Sequence, residues 1–232
     1  MEKKDINKSI VETIQSKSIL KQKVYDNTLA VFFMLKEILP ELAKSFNTRL
    51  AGTDKRVMLE YKDMGMFDAQ LKVSGDLLFF HMHSNVFEFD RGHGIWKTSY
   101  IQADKTASYC GIINIFNFLS DSVKYKRMED LGYLIGRIFI NKDRHYFVEG
   151  KRQLGYYYNN FGKDTIDKDA LRNIVTLAMQ YALEFDLLVP PYDAVKMVTV
   201  DVITQKIQFS KLKTGKRLGF QFNADDVSAE EK

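Results

Sequence analysis

Two of the four histidines in this 232-residue chain stand two apart, at His81 and His83, and carboxylates follow at Glu88 and Asp90. Side chains two apart on a strand point to the same side of a sheet. If the chain folds back across Ser84-Asn85, His83 lies opposite Val86, His81 opposite Glu88 and Phe79 opposite Asp90. One face then carries His81, His83, Glu88 and Asp90, nitrogen and oxygen groups of the kind that hold a divalent metal. The other carries Leu78, Phe80, Met82, Phe87 and Phe89 and belongs to a core. The plainer alternative is an exposed His81–Glu88 cross-strand pair contributing roughly a few tenths of a kcal/mol.

The spacing of Gly75, His81-x-His83, Glu88 and Gly94 resembles the first conserved motif of cupins. In that family two histidines and a glutamate hold a metal inside a small β-barrel, so the resemblance implies a metal at His81, His83 and Glu88. It spans only positions 75–94, and the family's second motif, a histidine after a proline-glycine turn, has no counterpart. A second fragment, Glu149-Gly150-Lys151, resembles the glutamate-x-lysine half of restriction-endonuclease-like nucleases, which implies magnesium-assisted attack by water. The aspartate that family also needs has candidates at Asp143, expected in a turn, and Asp130, expected on a helix. The alternative for the triplet is a charged hairpin tip.

A third group pairs cations with aromatic rings. Lys151 and Arg152 lie between Tyr146-Phe147 and Tyr156-Tyr157-Tyr158, and Lys206, Lys211, Lys213, Lys216 and Arg217 occur with no intervening acid. Stacking combined with phosphate neutralisation is how single-stranded nucleic acid is held. The competing reading is that Lys211, Lys213, Lys216 and Arg217 guard a sheet edge and that the tyrosines are partly core. Trp96 beside Lys97 offers a binding face or a core position. The sequence contains no Walker loop, no dinucleotide-binding glycine pattern, no zinc-protease helix and no nucleophile elbow.

Composition narrows the classes further. Hydrophobic residues make up 45% of the chain, charged residues 28% and aromatics 13%, enough to build a core without staples. The net charge of +4 permits an anionic partner without demanding one. Cys110 is the only cysteine, which excludes an internal disulfide, and it reads as a buried core residue. The longest wholly apolar run, Leu29 to Leu35, is seven residues, too short for a bilayer span. With no apolar signal core after Met1, these features lead to a cytoplasmic protein with no membrane partner.

Periodicity places the groups on elements. Ser9-Ile10-Val11-Glu12 has capping-box spacing, and Val24, Val31, Leu35, Ile38, Leu42 and Phe46 mark a helix over 18–47, with a kink or restart at Pro40. From Lys55 to Tyr100 the period falls to two, which predicts at least five antiparallel strands, with Met64-Gly65-Met66 and Ser84-Asn85 as turns and Ile95–Ile101 as the last strand. Residues 109–119 suit either a helix or a strand, and Asp130–Ile138 reads as a helix. His145–Glu149 and Leu154–Tyr158 read as a hairpin. Asp167 caps a helix to Phe185, and strands are expected over 195–203 and 206–222.

The sum is an α+β protein: a flexible start over 1–8, an antiparallel sheet with a long N-terminal helix and a second amphipathic helix over 9–222, and an acidic, disordered tail over 223–232. In function it reads as a binding or interaction protein whose partner is another protein or a second copy of itself, with no cofactor needed. The alternatives are a metal-dependent enzyme at the 77–90 hairpin and a nucleic-acid-binding protein.

Overall fold

The computed structural model describes residues 6–127, 130–185, 192–197 and 199–200. Helix α1 (Ile6–Thr13) passes through a π-helical turn (Ile14–Ser18) into α2 (Ile19–Arg49). The helix is already formed at Ile6, so Ser9 lies inside it and accepts from the Thr13 hydroxyl at 2.8 Å instead of capping it. No residue of α1 is buried. In α2 the apolar stripe does what its spacing predicts: Val24, Val31, Leu35, Ile38 and Leu42 are buried, joined by Thr28, Phe32 and Leu39, while Phe33 points outward. The helix continues through Pro40 without a restart.

Seven antiparallel strands follow among the described residues: β1 (Glu60–Asp63), β2 (Asp68–Val73), β3 (Asp76–Met82), β4 (Phe87–Glu88), β5 (Tyr109–Leu119), β6 (Tyr133–Asn141) and β7 (Tyr146–Gly150). Their spatial order is β1-β2-β3-β5-β6-β7, with β4 alongside β5. The turns at Gly65 (φ +111°) and Ser74 (φ +57°) adopt the left-handed backbone that tight hairpins need.

Ser84-Asn85 has no such backbone, and the hairpin expected there does not form. Met82 pairs with Ile113 and Phe87 with Cys110, so β3 and β4 run along the same edge of β5 in the same direction. Four residues, 83–86, bulge out opposite the two residues Gly111 and Ile112, and the strand then resumes. With no residue at φ > 0 to reverse the chain, it leaves the sheet and rejoins it.

Other departures have local causes. Asp130–Ile138 forms most of a strand rather than a helix: Gly132 and Gly136 weaken a helix, and Ile135, Ile138, Phe139 and Ile140 are buried in β6. Ile95–Ile101 is a 3-10 turn (Gly94–Lys97) and helix α3 (Ser99–Ala103), started by the side chains of His93 and Thr98, which accept from the amides of Ile95 and Ile101. Lys55–Val57 is likewise a 3-10 turn, capped by Asp54. Residues 109–119 are strand. Leu154–Tyr158 falls in the short helix α5 (Gln153–Tyr157), entered through Arg152 at φ +48°. Helix α6 (Lys168–Glu184) is capped by Asp167, which accepts from the Ala170 amide at 2.8 Å. Val195 closes a helical turn (Tyr192–Val195), and the strands expected over 195–203 and 206–222 lie largely outside the described residues, as does the tail.

Helices α2 and α6 pack side by side on one face of the sheet, enclosing Leu71, Leu78, Phe80, Ile113, Ile115, Ile138 and Val148. Each such side chain contributes about 1.5–3 kcal/mol on burial. The two helices run parallel, with ion pairs Lys168–Glu37 and Arg172–Glu41 at 2.7 Å. α2 meets β5 at Gly111, where a Cβ would stand 2.1 Å from the Thr28 hydroxyl. On the opposite face a smaller core of Phe89, Ile95, Ile101, Cys110, Phe139 and Phe147 covers one corner. Burial pushes the Cys110 thiol far up, which leaves it a core residue.

That corner is tied to the β6–β7 turn by polar groups. Asn141 is fully buried; its amide donates to Tyr100 Oη at 2.9 Å, and its Oδ1 accepts from the amides of Asp143 and His145. Burial and the Asp143 carboxylate push Tyr100 up to about 12. Lys142 bridges Asp143 and Asp104 at 2.8 and 3.0 Å. Burial raises Asp143, but Lys142 and Tyr100 outweigh it, so its carboxyl sits below the ordinary 3.8. Asp104 is lowered as well, by the Thr106 hydroxyl and by Lys142.

Two outcomes follow from these contacts. Gly111→Ala is expected to cost about 1–3 kcal/mol by overpacking, partly recovered when Thr28→Ala is added. Urea denaturation of the single and double variants measures this, and an unchanged midpoint for Gly111→Ala would contradict it. Both lowered carboxyls stabilise the fold above about pH 4 and lose that contribution as pH falls through their folded-state values. The melting temperature should therefore drop less between about pH 5 and pH 3 in Lys142→Met than in the parent protein.

Candidate functional site

Among the described residues the corner core covers only part of that sheet face, and the strand registers arrange the rest in rows. Asp68 pairs with His81, His81 with Asn114, Asn114 with Arg137 and Arg137 with Glu149. One polar row thus crosses five adjacent strands, β2, β3, β5, β6 and β7. Its members alternate with Ala69, Phe80, Met82, Ile113, Ile115, Ile138 and Val148, which face the helices.

Each end of the row is a carboxylate holding an inner nitrogen group. Asp68 Oδ1 lies 2.7 Å from His81 Nδ1. An ionised carboxylate only accepts, so the shared hydrogen is on Nδ1 and the ring is held in one orientation. Nε2 has no hydrogen-bond partner among the described residues. At the other end Arg137 Nε donates to Glu149 at 2.8 Å, Nη2 donates to the same oxygen, and the guanidinium lies 5.4 Å from the Phe139 ring centre. The side chains of His81 and Arg137 are 38% and 39% exposed, so both are open to solvent. Between them Asn114 is half-buried, and its side-chain amide makes no hydrogen bond to any described residue.

The next row is different in kind. Lys62, Gln70, Phe79, Phe116 and Leu134 pair in sequence across the sheet, and beyond them come Glu60, Lys72, Leu77 and Phe118. Three of the five residues in the first of these rows are apolar: Phe79 and Phe116 are half-buried and Leu134 is 41% exposed, and the Phe116 and Phe118 rings are 6.4 Å apart. A cleft of about 840 Å³ opens from this side, lined by Leu77 and by both signs of charge: Lys62, Lys72, Glu60 and Asp76 of the sheet, Asp54 and Arg56 before it, and Asp121 and Lys124 of helix α4 (Ser120–Lys124).

The metal grouping read from the sequence is only partly assembled. His81 and His83 do remain neighbours, ring centres 6.3 Å apart. His83 Nδ1 accepts from the Asn85 amide, and its ring meets Phe87 edge-on. Glu88 is carried away by the bulge to a position opposite Tyr109, where it pairs with Arg91 at 3.0 Å. Asp90 caps Gly92, His93 starts the 3-10 turn, and Trp96 donates to the Asp90 carbonyl. Among the described residues no three His, Cys, Asp or Glu side chains gather as metal ligands.

The nuclease-like fragment is likewise dispersed. Glu149 is bound to Arg137, Asp143 lies in the turn at the far end of β7, and Asp130 pairs with Ser122 and Arg127. Lys151 is exposed, whereas Arg152 reaches Glu184 at 3.2 Å and lies over the Tyr181 ring. Lys211, Lys213, Lys216 and Arg217 lie outside the described residues.

Asp68, Asn114 and Arg137 escaped the sequence reading. The signal that would have found them is polar–apolar alternation in β5 and β6, read as strands and set in register with β3.

Comparison with protein-family models, with curated proteins and with solved structures returns no match in any of the three. No helix among the described residues is long and apolar enough to cross a membrane.

The Asp68–His81 pair is directly testable by NMR of ¹⁵N-histidine-labelled protein. His81 is expected as the Nδ1–H form when neutral, and Asp68→Ala should shift it toward the Nε2–H form. An Nε2–H ring in the parent protein would contradict the geometry.

Proposed function

We propose that this protein is a non-enzymatic binding module that takes its ligand on the uncovered face of its sheet. One observation carries the reading: a five-strand polar row lies beside a row of Phe79, Phe116 and Leu134 on a face that no described element covers. Apolar side chains left grouped at a surface, next to polar groups held in fixed orientation, are the usual composition of a binding surface. Stability gives little reason for the row, because half-exposed ion pairs contribute about 0–1 kcal/mol each.

The experiment is metabolite capture by the purified protein, read by mass spectrometry and compared with Phe116→Ser. Compounds enriched by the parent and lost in a variant that keeps its circular-dichroism spectrum are the expected result. No enrichment, or equal enrichment by both proteins, overturns the proposal.

A further inference from the structure

The polar row has an internal logic that specifies a ligand. Its two carboxylates are outermost and its nitrogen groups innermost. Asp68 occupies His81 Nδ1, and Glu149 occupies Arg137 Nε and Nη2, each from the outer side. What remains for a visitor is His81 Nε2, the side-chain amide of Asn114 and Arg137 Nη1. Adjacent strands are about 4.8 Å apart, so His81 and Arg137 flank Asn114 across about 10 Å, room for one small group over the amide. Arg137 and Asn114 donate hydrogen bonds, and His81 Nε2 donates in its imidazolium form. With His81 as the imidazolium, three donors stand on neighbouring strands while both carboxylates are engaged at the ends of the row, an arrangement that suits an anion.

The neighbouring row fixes what the anion is attached to. Phe79 and Phe116 lie two residues further along β3 and β5 than His81 and Asn114, a step of about 6.7 Å along the strands. With Leu134 beside Phe116 they form an apolar floor. The cleft at the β2–β3 turn continues that floor for a longer body.

Building on the binding role proposed above, we infer that Asn114, His81 and Arg137 form an anion cradle for a small amphipathic acid, whose carboxylate or phosphate sits over Asn114 and whose aromatic or aliphatic body lies on Phe79 and Phe116. A carboxylate joined to a ring by a two-carbon spacer spans about the distance between the rows.

The test uses 3-phenylpropionate, its uncharged amide and 2-phenylethyl phosphate, titrated into ¹⁵N-labelled full-length protein and followed by NMR. The two anions are expected to shift amides of β3, β5 and β6, with affinity at least about tenfold above that of the amide. The tighter of the two identifies the head group. Asn114→Leu, and Arg137→Met combined with Glu149→Leu so that no carboxylate is left unpaired, should each weaken anion binding about tenfold. Lys151→Met should leave it unchanged. If the amide binds as well as the acid and shifts the same strands, the cradle is wrong while the binding face stands. If none of the three probes shifts those strands, both fall.

Discussion

The geometry of the open face is set from behind it. α2 lies across β5 at a point where Gly111 has no side chain, and Thr28 occupies the space that a Cβ would need. A larger residue there would lift the helix off the sheet or shift β5 beneath it. β5 is the strand that matters most, since it pairs with β3, β4 and β6, and Asn114 is three residues from Gly111. Packing at native density transmits small displacements instead of absorbing them. The spacing between His81 and Arg137 therefore depends on a backbone contact on the other side of the sheet.

On the exposed side the same strands carry groups that do little for stability. Their arrangement is orderly all the same: each nitrogen group is braced by one carboxylate, so that an imidazole and a guanidinium keep fixed orientations beside an amide with no partner of its own among the described residues. Bracing of this kind lowers the conformational cost of capturing a ligand, which is where binding sites gain affinity. The aromatic row supplies the apolar area that a polar row alone lacks.

Much of the architecture was legible in the sequence, and what was not has physical causes. The long helix and α6 announced themselves through spacing of three and four, and Asp167 marked its own cap. β2 and β3 were equally clear, because one of their faces meets the core and the other meets water. β6 was hidden because Ile135, Phe139 and Ile140 are buried on both faces, which removes the alternation that distinguishes a strand. The 94–103 segment misled because Ile95, Trp96 and Ile101 cover a sheet instead of belonging to one. At the candidate site His81 was found and its neighbours were not. A row across a sheet is made by hydrogen-bonding between distant segments, and a mistaken turn at Ser84-Asn85 put Glu88 where Asp68 and Asn114 stand.

The bulge at 83–86 has one more implication. A strand that leaves the sheet after His83, whose amide still donates to the Ile112 carbonyl at 2.9 Å, and rejoins along the same edge at Phe87 separates loop length from register. Residues can be added or removed there without sliding β3 or β4 against β5, because each half is anchored by its own pairs. This segment begins after His83, two residues along the chain from His81 of the polar row. Variation in its length would reshape the rim of the open face while leaving the floor intact, so a lengthened or shortened variant could present a different edge without refolding what it stands on.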